Sequence, residues 1–382
     1  MYLERLQLNN FKNYVEADLH FSHNVNCLVG NNGMGKTNLI DAIYYLSFCK
    51  SYFNAVDSQN IRRGESFFAV HGHFVEDTPY VVNTETTSVE NDVSCIVQMG
   101  KPKQIKYNKK LCSSMSEHVG RIPLVMVSPG DHVLILGGSE NRRRFVDSTI
   151  SQIDKGYLHE VMQYNKAVEQ RNNLLKQFAE VHFFDEASIG IWDEQLVRLS
   201  APIYAMRQQF MQEFVPLFQQ YFHLIAASHD ELPSIRYRSQ LNEGDLLAQL
   251  HEARMRDAAL QYSSVGVHKD DFDFFIDDFA VKKFSSQGQQ KTFLLALKLA
   301  QFDYMLQHAG RKPILLLDDI FDKLDISRVE QLLALVGSDH FGQVFLTDTQ
   351  QGRVQSLFQT SPQVERKIFS VSQGQAVEQI SA

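Results

Sequence analysis

The sequence contains few cysteines, and none of them is spaced for a metal or redox motif. Its 382 residues include four cysteines: Cys27, Cys49, Cys95 and Cys112. Because no pair has C-x-x-C spacing, neither a zinc knuckle nor a thioredoxin-like site is supported. So few cysteines in so long a chain favour a reducing compartment.

Long apolar runs are also missing. No stretch approaches the ~18 apolar residues of a membrane-spanning helix. The N-terminal segment MYLERLQLNNFKNY carries charges where a signal peptide needs an apolar core. The sequence therefore predicts a soluble, cytoplasmic protein without a membrane partner.

An excess of positive charge is absent as well. The chain has 37 Lys and Arg residues against 45 Asp and Glu residues, which gives a net charge of −8. This balance argues against a protein that coats nucleic acid by bulk attraction, but it does not exclude a local basic groove. With 44% apolar and 21% charged residues, wholesale disorder is excluded too. The length predicts two domains or one large elaborated domain.

Hydrophobic periodicity predicts an α/β body built from both ends of the chain, with a mainly helical insertion between them. Strands are expected over residues 2–8, 15–21, 24–29, within 61–107, and over 272–277, 314–317, 343–347 and 366–371. Helices are expected over residues 36–48, 153–180, 190–222, 288–308, 326–336 and 350–358. The corresponding domains are an N-terminal part of the body over 1–112, the helical insertion over 113–262, and a C-terminal part over 263–382.

A phosphate-binding loop follows the third predicted strand. The residues that fit G-x-x-x-x-G-K-[ST] are Gly30, Asn31, Asn32, Gly33, Met34, Gly35, Lys36 and Thr37. The glycines let the backbone turn its N–H groups toward a polyphosphate, and the N-terminus of the next helix adds a favourable dipole. We expect Lys36 to reach the β- and γ-phosphates of ATP and the Thr37 hydroxyl to ligate Mg²⁺. The alternative is a plain glycine-rich turn before a helix.

A pair of carboxylates ends the strand predicted over 314–317. The apolar run from Pro313 to Leu317 leads directly into Asp318 and Asp319, which is the Walker B pattern. Asp318 is expected to bind Mg²⁺, directly or through water, and Asp319 to orient or deprotonate the attacking water. The alternative is a core strand followed by a turn, and it is less favoured because the same chain also contains a P-loop.

Between these two motifs, the segment Ser285-Ser286-Gln287-Gly288-Gln289-Gln290-Lys291 opens an apolar helix. Ser286 could simply cap that helix. However, the order of P-loop, S-x-G-Q helix, apolar strand with two aspartates, and Leu324-Asp325 resembles the ABC-type ATPases. In that class, the signature helix of one subunit closes over the nucleotide on the P-loop of another.

Several further segments resemble the RecF family of bacterial recombination mediators, which is related to the SMC proteins. They are Leu8–Tyr14, Ser128–Asp131, Arg142–Asp147, Gln170–Lys176, Trp192–Leu196, Gly266–Asp271 and Ser286–Lys291. The resemblance spans residues 2 to about 371. It implies an α/β fold, namely an ABC/SMC-type P-loop ATPase head with mixed sheets and an inserted helical lid or arm domain.

The resemblance also implies roles for individual residues and for the whole protein. Lys12 and Asn13 would lie beside the nucleotide, and Asp325 would belong to the D-loop. The residues implied to act in trans on a second copy are Ser286, Gly288 and Gln289. The implied function is an ATP-dependent homodimer that recognises gapped DNA or single-strand/double-strand junctions and, with RecR and RecO, helps to load RecA. Roles in replication, repair and the SOS response follow, with a weak, DNA-stimulated ATPase as the switch.

Two positions depart from the patterns of these families. The segment Lys50–Asn54 has no arginine where the RecF family tends to have one, and Phe53 stands there instead. Thr347, Asp348 and Thr349 follow the last core strand, where ABC transporters carry a histidine. Slow hydrolysis would be consistent with that second difference.

Basic clusters are candidate DNA contacts, although each is more often a solvated face. The clusters are Lys101, Lys103, Lys106, Lys109 and Lys110; Arg62 and Arg63; and Arg142, Arg143 and Arg144. The residues we favour as DNA-binding are Lys101, Lys103, Lys106, Arg62 and Arg63. His268 with the pair Asp270 and Asp271 could suggest a metal site, but no further ligand is spaced with them, so a structural or allosteric role is favoured.

A second class of function stays open, an ABC-like ATPase subunit that drives a separate nuclease or transporter. The missing switch histidine weighs against a transporter. No long coiled coil with a zinc hook and no acidic metal domain is visible in the sequence, which weighs against a nuclease partner. A regulatory nucleotide-binding scaffold that does not touch DNA is the third alternative.

Overall fold

A computed structural model describes residues 1–76, 80–82, 85–87, 89–226, 230–320, 331, 335, 340–349 and 365–379. Leu324, Asp325 and the helix expected over 350–358 lie outside these residues, as does most of the helix expected over 326–336. None of the helices in the described part is long and apolar enough to cross a membrane.

The elements of the described residues follow in chain order. The strands are β1 (Tyr2–Phe11), β2 (Tyr14–His20), β3 (Val25–Val29), β4 (Phe67–Val75), β5 (Tyr80–Val82), β6 (Glu85–Thr87), β7 (Glu90–Gln98), β8 (Gln104–Tyr107), β9 (Lys110–Leu111), β10 (Leu124–Val127), β11 (Pro233–Arg238), β12 (Asp271–Ile276), β13 (Phe279–Ala280), β14 (Ile314–Leu317), β15 (Val344–Asp348), β16 (Arg366–Ser372) and β17 (Gln375–Gln379). The helices are α1 (Lys36–Phe48), α2 (Met115–His118), α3 (Val133–Leu136), α4 (Ser139–Ile153), α5 (Lys155–Val181), α6 (Glu186–Ile225), α7 (Leu246–Leu260), α8 (Val281–Phe284) and α9 (Gln287–Ala309). Short 3₁₀ turns cover Asp57–Asn60, Pro129–His132, Gln240–Asn242 and Val267–Lys269.

The chain divides into two compact units. Unit 1 combines residues 1–130 with 301–382, and unit 2 consists of residues 131–300. The sequence-based boundaries, after residues 112 and 262, are different. The first unit extends past residue 112 because β10 pairs in parallel with β14 of the same sheet. Unit 2 extends past residue 262 because β12 pairs with β11.

Unit 1 is built on two sheets. An antiparallel sheet has the strand order β2-β1-β4-β7-β8-β9, and a mixed sheet has the order β10-β14-β15-β3-β16-β17. In the mixed sheet, β3, β14 and β15 run parallel, with Asp348 opposite Val29 and Leu346 opposite Leu317. Their carboxyl ends therefore meet at one edge, which is where open α/β sheets bind ligands.

Helix α1 joins these two sheets through a shared core. Leu39, Ile43 and Leu46 are fully buried on it, and the helix packs against strands of both sheets. Their neighbours in the core include Phe68 from β4 and Phe345 from β15. Because burial of such side chains is worth ~1.5–3 kcal/mol each, the start of α1 is held firmly at the edge of the mixed sheet.

Unit 2 is mainly helical. α5 packs along α6, α4 and α7 pack against this pair, and the small antiparallel sheet β11-β12-β13 lies against α4 and α6. Phe210, Phe214 and Phe218 are buried along α6 at intervals of four residues, the spacing of one helix face. Buried ion pairs supplement this core, as described below.

Most elements agree with the periodicity of the sequence. The bounds predicted for α1 and β14 are confirmed, and the long helices α5 and α6 and the strands near 272 and 366 are found close to their expected positions. β10, β11, β17 and α7 were not predicted. β10 and β17 are short, and β11 alternates weakly, so each becomes a strand through its pairing partner rather than its own pattern.

Candidate nucleotide site

The P-loop connects β3 to α1 along a path that its glycines make possible. Gly30 donates its N–H to the carbonyl of Asp348 at 3.2 Å. A Cβ on Gly30 would lie 2.2 Å from the carbonyl oxygen of Val371. Gly35 has a φ of 118°, and a Cβ there would lie 2.6 Å from the Asn13 amide. A side chain would therefore clash at both positions. With glycine there, the backbone can follow the path of a loop that surrounds phosphate groups.

Lys36 lies across the mouth of this loop. Its side chain is mostly buried, and Nζ donates to the carbonyl oxygens of Gly30 at 2.5 Å and Asn31 at 3.0 Å. The first turn of α1 contains no acidic residue, and Gly35 offers no side-chain cap. The ammonium group and the uncapped helix N-terminus together make a site for an anion. Asn32 and Gly33 are exposed, and Met34 is half-buried.

Thr37 and Asp318 meet at the end of β14. The Thr37 hydroxyl donates to Asp318 Oδ1 at 3.0 Å, and the Thr347 hydroxyl donates to the same oxygen at 3.0 Å. Burial raises the pKa of the Asp318 carboxyl above its ordinary value, and the hydrogen bonds from Thr347 and Thr37 act in the opposite direction. A hydroxyl beside a carboxylate is an all-oxygen donor set of the kind that Mg²⁺ prefers, so the residues fit that ion.

Asp319 takes an unusual backbone conformation. Its φ is 49°, and its N–H donates to Thr347 Oγ1 at 2.8 Å. Left-handed geometry is uncommon outside glycine but is tolerated by aspartate. The turn separates the two adjacent carboxylates, so that Asp318 is buried and Asp319 is only partly buried. In the sequence, Thr347 is notable only because ABC transporters carry a histidine in this segment. In the structure, its hydroxyl is hydrogen-bonded to both Asp318 and Asp319.

The β1–β2 turn fastens the P-loop from one side. The Asn13 amide donates to the carbonyl of Met34 at 3.1 Å and accepts from Asn38 Nδ2 at 2.7 Å. Tyr14 donates its hydroxyl to the Gly35 carbonyl at 3.2 Å. Asn13 is therefore beside the P-loop, and its position beside a nucleotide stays a prediction of the resemblance. Its hydrogen bonds join the turn to the loop's backbone and to α1.

Lys12 has a different partner, a buried carboxylate that the sequence analysis missed. Its Nζ lies 2.6 Å from Asp41 Oδ2, and Asp41 is fully buried on α1. Asp41 also accepts from the Ser51 hydroxyl at 2.6 Å and from the backbone N–H of Tyr52 at 2.7 Å. The Lys12 ammonium lies 5.4 Å from the ring centroid of Phe53. A polar residue one turn after Thr37 in an otherwise apolar helix is the signal that could have identified Asp41.

The signature segment belongs to unit 2, where it begins α9. The Ser286 hydroxyl accepts from the Gln289 N–H at 3.2 Å, and Gln289 Oε1 accepts from the Ser286 N–H at 2.8 Å. This reciprocal pair is a capping box. Ser286 is exposed and Gly288 is half-buried. Ser286 therefore caps α9, as the alternative interpretation of this segment expected. Because Ser286 is exposed, it remains accessible to a ligand.

The basic residues divide into paired and exposed groups. Lys103 Nζ lies 2.7 Å from Asp57 and 2.6 Å from the Cys49 carbonyl. Lys101 is exposed, Lys106 is half-buried on β8, and Arg63 is exposed. Arg62 lies 3.9 Å from Glu65 across a single turn. Among the five favoured DNA-binding residues, Lys103 therefore makes the shortest side-chain contacts with other described residues of the chain.

The three consecutive arginines of α4 point to three different partners, as expected from their spacing on a helix. Arg142 is nearly buried and forms two hydrogen bonds with Asp271 at 2.7 and 3.0 Å. Arg143 donates to the carbonyl of Asp270 at 2.6 Å. Arg144 reaches Glu140 at the surface, 3.0 Å away. Two of the three arginines therefore contribute to the packing of unit 2.

His268 and Asp270 are also engaged inside unit 2. His268 Nδ1 lies 2.7 Å from the Tyr164 hydroxyl, and Nε2 lies 3.0 Å from the Ser263 carbonyl. Burial lowers the pKa of His268 to about 4. The Asp270 carboxylate accepts from Arg207 at 2.7 Å and from Tyr237 at 2.6 Å. Within the described residues, no cluster of three His, Cys, Asp or Glu side chains could hold a metal ion.

This geometry defines a candidate P-loop nucleotide site on an ABC/SMC-type head, and comparison with known proteins agrees with that fold. The chain matches the RecF/RecN/SMC N-terminal domain over residues 2–373. It is 46% identical to the DNA replication and repair protein RecF of Flavobacterium johnsoniae, over 97% of this chain and 100% of the relative. It is 45% identical to the protein of the same name from Phocaeicola vulgatus, over 99% of this chain and 98% of the relative. The chain belongs to the RecF family.

Solved structures give the same fold. Two structures of the recombination mediator protein RecF in the RecFOR pathway, designated RecF-ATPrS and RecF-ATP, each have a TM-score of 0.86 and 28% identity, covering 99% of this chain and 98% of theirs. An SMC head bound to the C-terminal winged-helix domain of ScpA has a TM-score of 0.58 and 16% identity, covering 99% of this chain and 98% of that one. The SMC match supports the head fold alone.

Proposed function

We propose that this protein binds ATP at the P-loop and uses it to control DNA binding in recombinational repair and replication. The observation that carries the proposal is the contact of Thr37 with Asp318 at 3.0 Å, because it joins the two separate sequence motifs that a P-loop ATPase needs. The similarity to the protein designated RecF-ATP supports the same ligand.

Each residue of the site has a proposed task. The N–H groups of the loop after Gly30, up to Thr37, surround the phosphates, and Lys36 exchanges its bonds with the Gly30 and Asn31 carbonyls for bonds with the β- and γ-phosphates. Thr37 and Asp318 would hold Mg²⁺, which neutralises phosphate charge during hydrolysis. Asp319 orients the attacking water and accepts its proton. Asn13 keeps the loop in place, because its amide is already bonded to the Met34 carbonyl.

The Lys12–Asp41 pair supplies a second layer of support. Lys12 would remain beside the nucleotide as a nearby positive charge while Asp41 holds both it and the segment from Ser51 to Tyr52. A buried pair of this kind fixes geometry more reliably than it adds stability. We therefore assign Lys12 a positioning role in addition to the nucleotide contact that the resemblance implies.

Hydrolysis is proposed to act as a switch in a homodimer. The signature residues Ser286, Gly288 and Gln289 of one copy, of which Ser286 is exposed, would cover the ATP bound to the P-loop of a second copy. Closure would bring two local basic surfaces together, which offsets the net charge of −8. The DNA-contacting residues proposed for these surfaces are Lys101, Lys103, Lys106, Arg62 and Arg63.

The proposed DNA is gapped DNA or a single-strand/double-strand junction, where the protein would act with RecR and RecO to help load RecA. The curated relatives named above are DNA replication and repair proteins, which supports this reading over an ATPase subunit for a separate nuclease or transporter. The enzyme activity proposed is a weak ATPase that DNA stimulates. Replication restart and the SOS response are the settings in which it would act.

Fluorescence anisotropy with labelled gapped DNA tests the proposal directly. Binding is expected with ATP and Mg²⁺, and it should be weak with no nucleotide or with ADP. The variant Lys36→Met should lose the ATP effect, since the β- and γ-phosphates lose their cationic partner. Equal binding with and without ATP would contradict ATP control, and no binding to any DNA at low salt would favour the scaffold alternative.

A further inference from the structure

An exposed aromatic pair lies immediately before the signature segment. Phe279 on β13 and Phe284 at the end of α8 are 61% and 67% exposed, and their rings meet edge to face with centroids 5.7 Å apart. Leu232, which precedes β11, is 68% exposed. Large apolar side chains that are this exposed and grouped mark interaction sites more often than isolated ones do. We call Leu232, Phe279 and Phe284 the apolar patch.

The apolar patch and the signature segment form one continuous surface. Gln289 of the capping box donates to Glu231 at 2.8 Å, and Glu231 adjoins Leu232 in sequence. Leu232 in turn exchanges hydrogen bonds with Asp277 in the β12–β13 turn, at 2.9 and 3.1 Å. Val281 is fully buried and anchors α8 between the two phenylalanines. These contacts therefore fix the position of the apolar patch relative to Ser286.

We propose that the apolar patch docks onto a second copy of this chain, on the surface around that copy's P-loop, and so deepens the homodimer of the proposed function, on which it rests. In the proposed homodimer, Ser286 lies over the nucleotide of the second copy, so a surface continuous with Ser286 would face the region around that nucleotide. Aromatic side chains are enriched in the buried centres of protein interfaces. The patch would supply apolar contact area that the polar signature residues cannot.

Charge complementarity points to the same occupant. Lys282 and Lys283 are exposed on α8 between the two phenylalanines. In the proposed ATP-bound state, the face they would meet carries a polyphosphate and the partly buried carboxylate of Asp319. Positive charge beside the aromatic pair therefore favours the nucleotide-loaded face of the second copy, and less so the same face without nucleotide. Dimerisation through the patch should consequently depend on ATP.

The test compares a double variant with a matched control by sedimentation velocity in saturating ATP and Mg²⁺. Phe279→Ser with Phe284→Ser should raise the dimer dissociation constant at least ~tenfold. Phe183→Ser is the control, because Phe183 has the same 67% exposure elsewhere in unit 2, and it should dimerise like the unsubstituted protein. Lys283→Glu should also weaken the dimer, with the loss shrinking as salt rises. Each variant should bind ATP normally as a monomer.

The outcomes separate the failure of this inference from the failure of the proposed function. If the unsubstituted protein binds ATP but remains monomeric, the ATP-closed homodimer is wrong and the docking inference falls with it. If the unsubstituted protein dimerises and the double variant dimerises equally well, only the docking inference is overturned, and the patch serves DNA or another protein. A double variant that loses ATP affinity as a monomer would also overturn it, because the patch would then act within one chain.

Discussion

At the residue scale, the sequence predicts which groups touch nucleotide, but it does not predict the groups that hold those side chains in place. Lys36 and Thr37 are recognisable because the P-loop has a fixed spacing, and Asp318 is recognisable because it ends an apolar strand. Thr347 and Asp41 are not, because each acts through a partner distant in sequence, namely Asp318 and Lys12. Such pairings depend on sheet order and on helix packing, which one sequence does not display.

Asp319→Asn should separate nucleotide binding from hydrolysis. Asn tolerates the left-handed backbone at this position, and Asp318 still offers its carboxylate, so ATP affinity should change less than about threefold. Loss of a proton-accepting group should slow hydrolysis by about 10²–10⁴-fold and allow the ATP-bound dimer to accumulate. Phosphate release and sedimentation measure the two effects. Normal turnover by the variant would remove Asp319 from the mechanism.

His268 should make the protein less stable in mild acid. Its hydrogen bonds fit the neutral ring, with Nε2–H donating to Ser263 and Nδ1 accepting from Tyr164. The folded pKa of about 4 lies below the unfolded value of ~6.5, so the unfolded chain binds the extra proton. The contribution is therefore complete above pH ~6.5 and is lost as the pH falls toward 4, by about 2 kcal/mol at pH 5.

His268→Gln tests this dependence, because glutamine does not titrate. Urea unfolding at pH 7.5 and pH 5 should give a smaller drop in unfolding free energy for the variant than for the unsubstituted protein. His251→Gln is the control, since His251 is exposed on α7. Identical drops in all three proteins would mean that His268 is charged in the folded state or solvated.

At the element scale, the segments that carried the family resemblance prove to contain much of the ionic framework of unit 2. Arg171 on α5 is fully buried and reaches Asp193 on α6 at 2.8 Å and Asp257 on α7 at 2.6 Å. Arg207 on α6 joins Asp147 on α4 to Asp270. Helix periodicity predicted that α5 and α6 exist, but it could not predict these pairings. Which helices touch is decided by complementary buried charges and by the fit of side chains.

Arg171→Met should destabilise unit 2 strongly. The fully buried Asp257 would lose its ion pair with Arg171, and Asp193 would keep only its pair with Arg254. Breaking a buried pair typically costs ~3–5 kcal/mol. Arg198→Met is the control, because Arg198 is exposed on α6, and it should change stability by less than ~0.5 kcal/mol. Thermal or urea unfolding monitors both variants. A loss below ~1 kcal/mol would mean that the buried network is solvated or can rearrange.

At the scale of the whole molecule, the sequence predicted the class of fold and the family. The division of the chain was harder to predict, because β10 contributes to the sheet of unit 1 from a position before the helices of unit 2. Net charge also has its meaning at this scale. A chain of charge −8 can hold DNA only through local surfaces.

DNA binding at saturating ATP should therefore depend on salt through a few identifiable residues. Lys101→Gln with Lys106→Gln should flatten the slope of log K against log salt by ~0.9 for each duplex phosphate that the variant no longer neutralises. Lys166→Gln with Lys176→Gln is the control, because both lysines are exposed on α5. Equal slopes for the two double variants would remove Lys101 and Lys106 from the DNA surface and direct attention to Arg62 and Arg63.

The central claim is that ATP closes a dimer in which each nucleotide is held by two copies. Ser286→Arg should block closure, because a bulky cation would lie over the partner's phosphates, and Lys36→Met should block it because the phosphates lose their cationic partner. A mixed dimer of these two variants has one intact composite site and one doubly damaged site. Sedimentation of the mixture with ATP and Mg²⁺ should show partial recovery of dimer that neither variant shows alone. No recovery in the mixture, while each variant remains folded, would contradict the claim that the two motifs meet across copies.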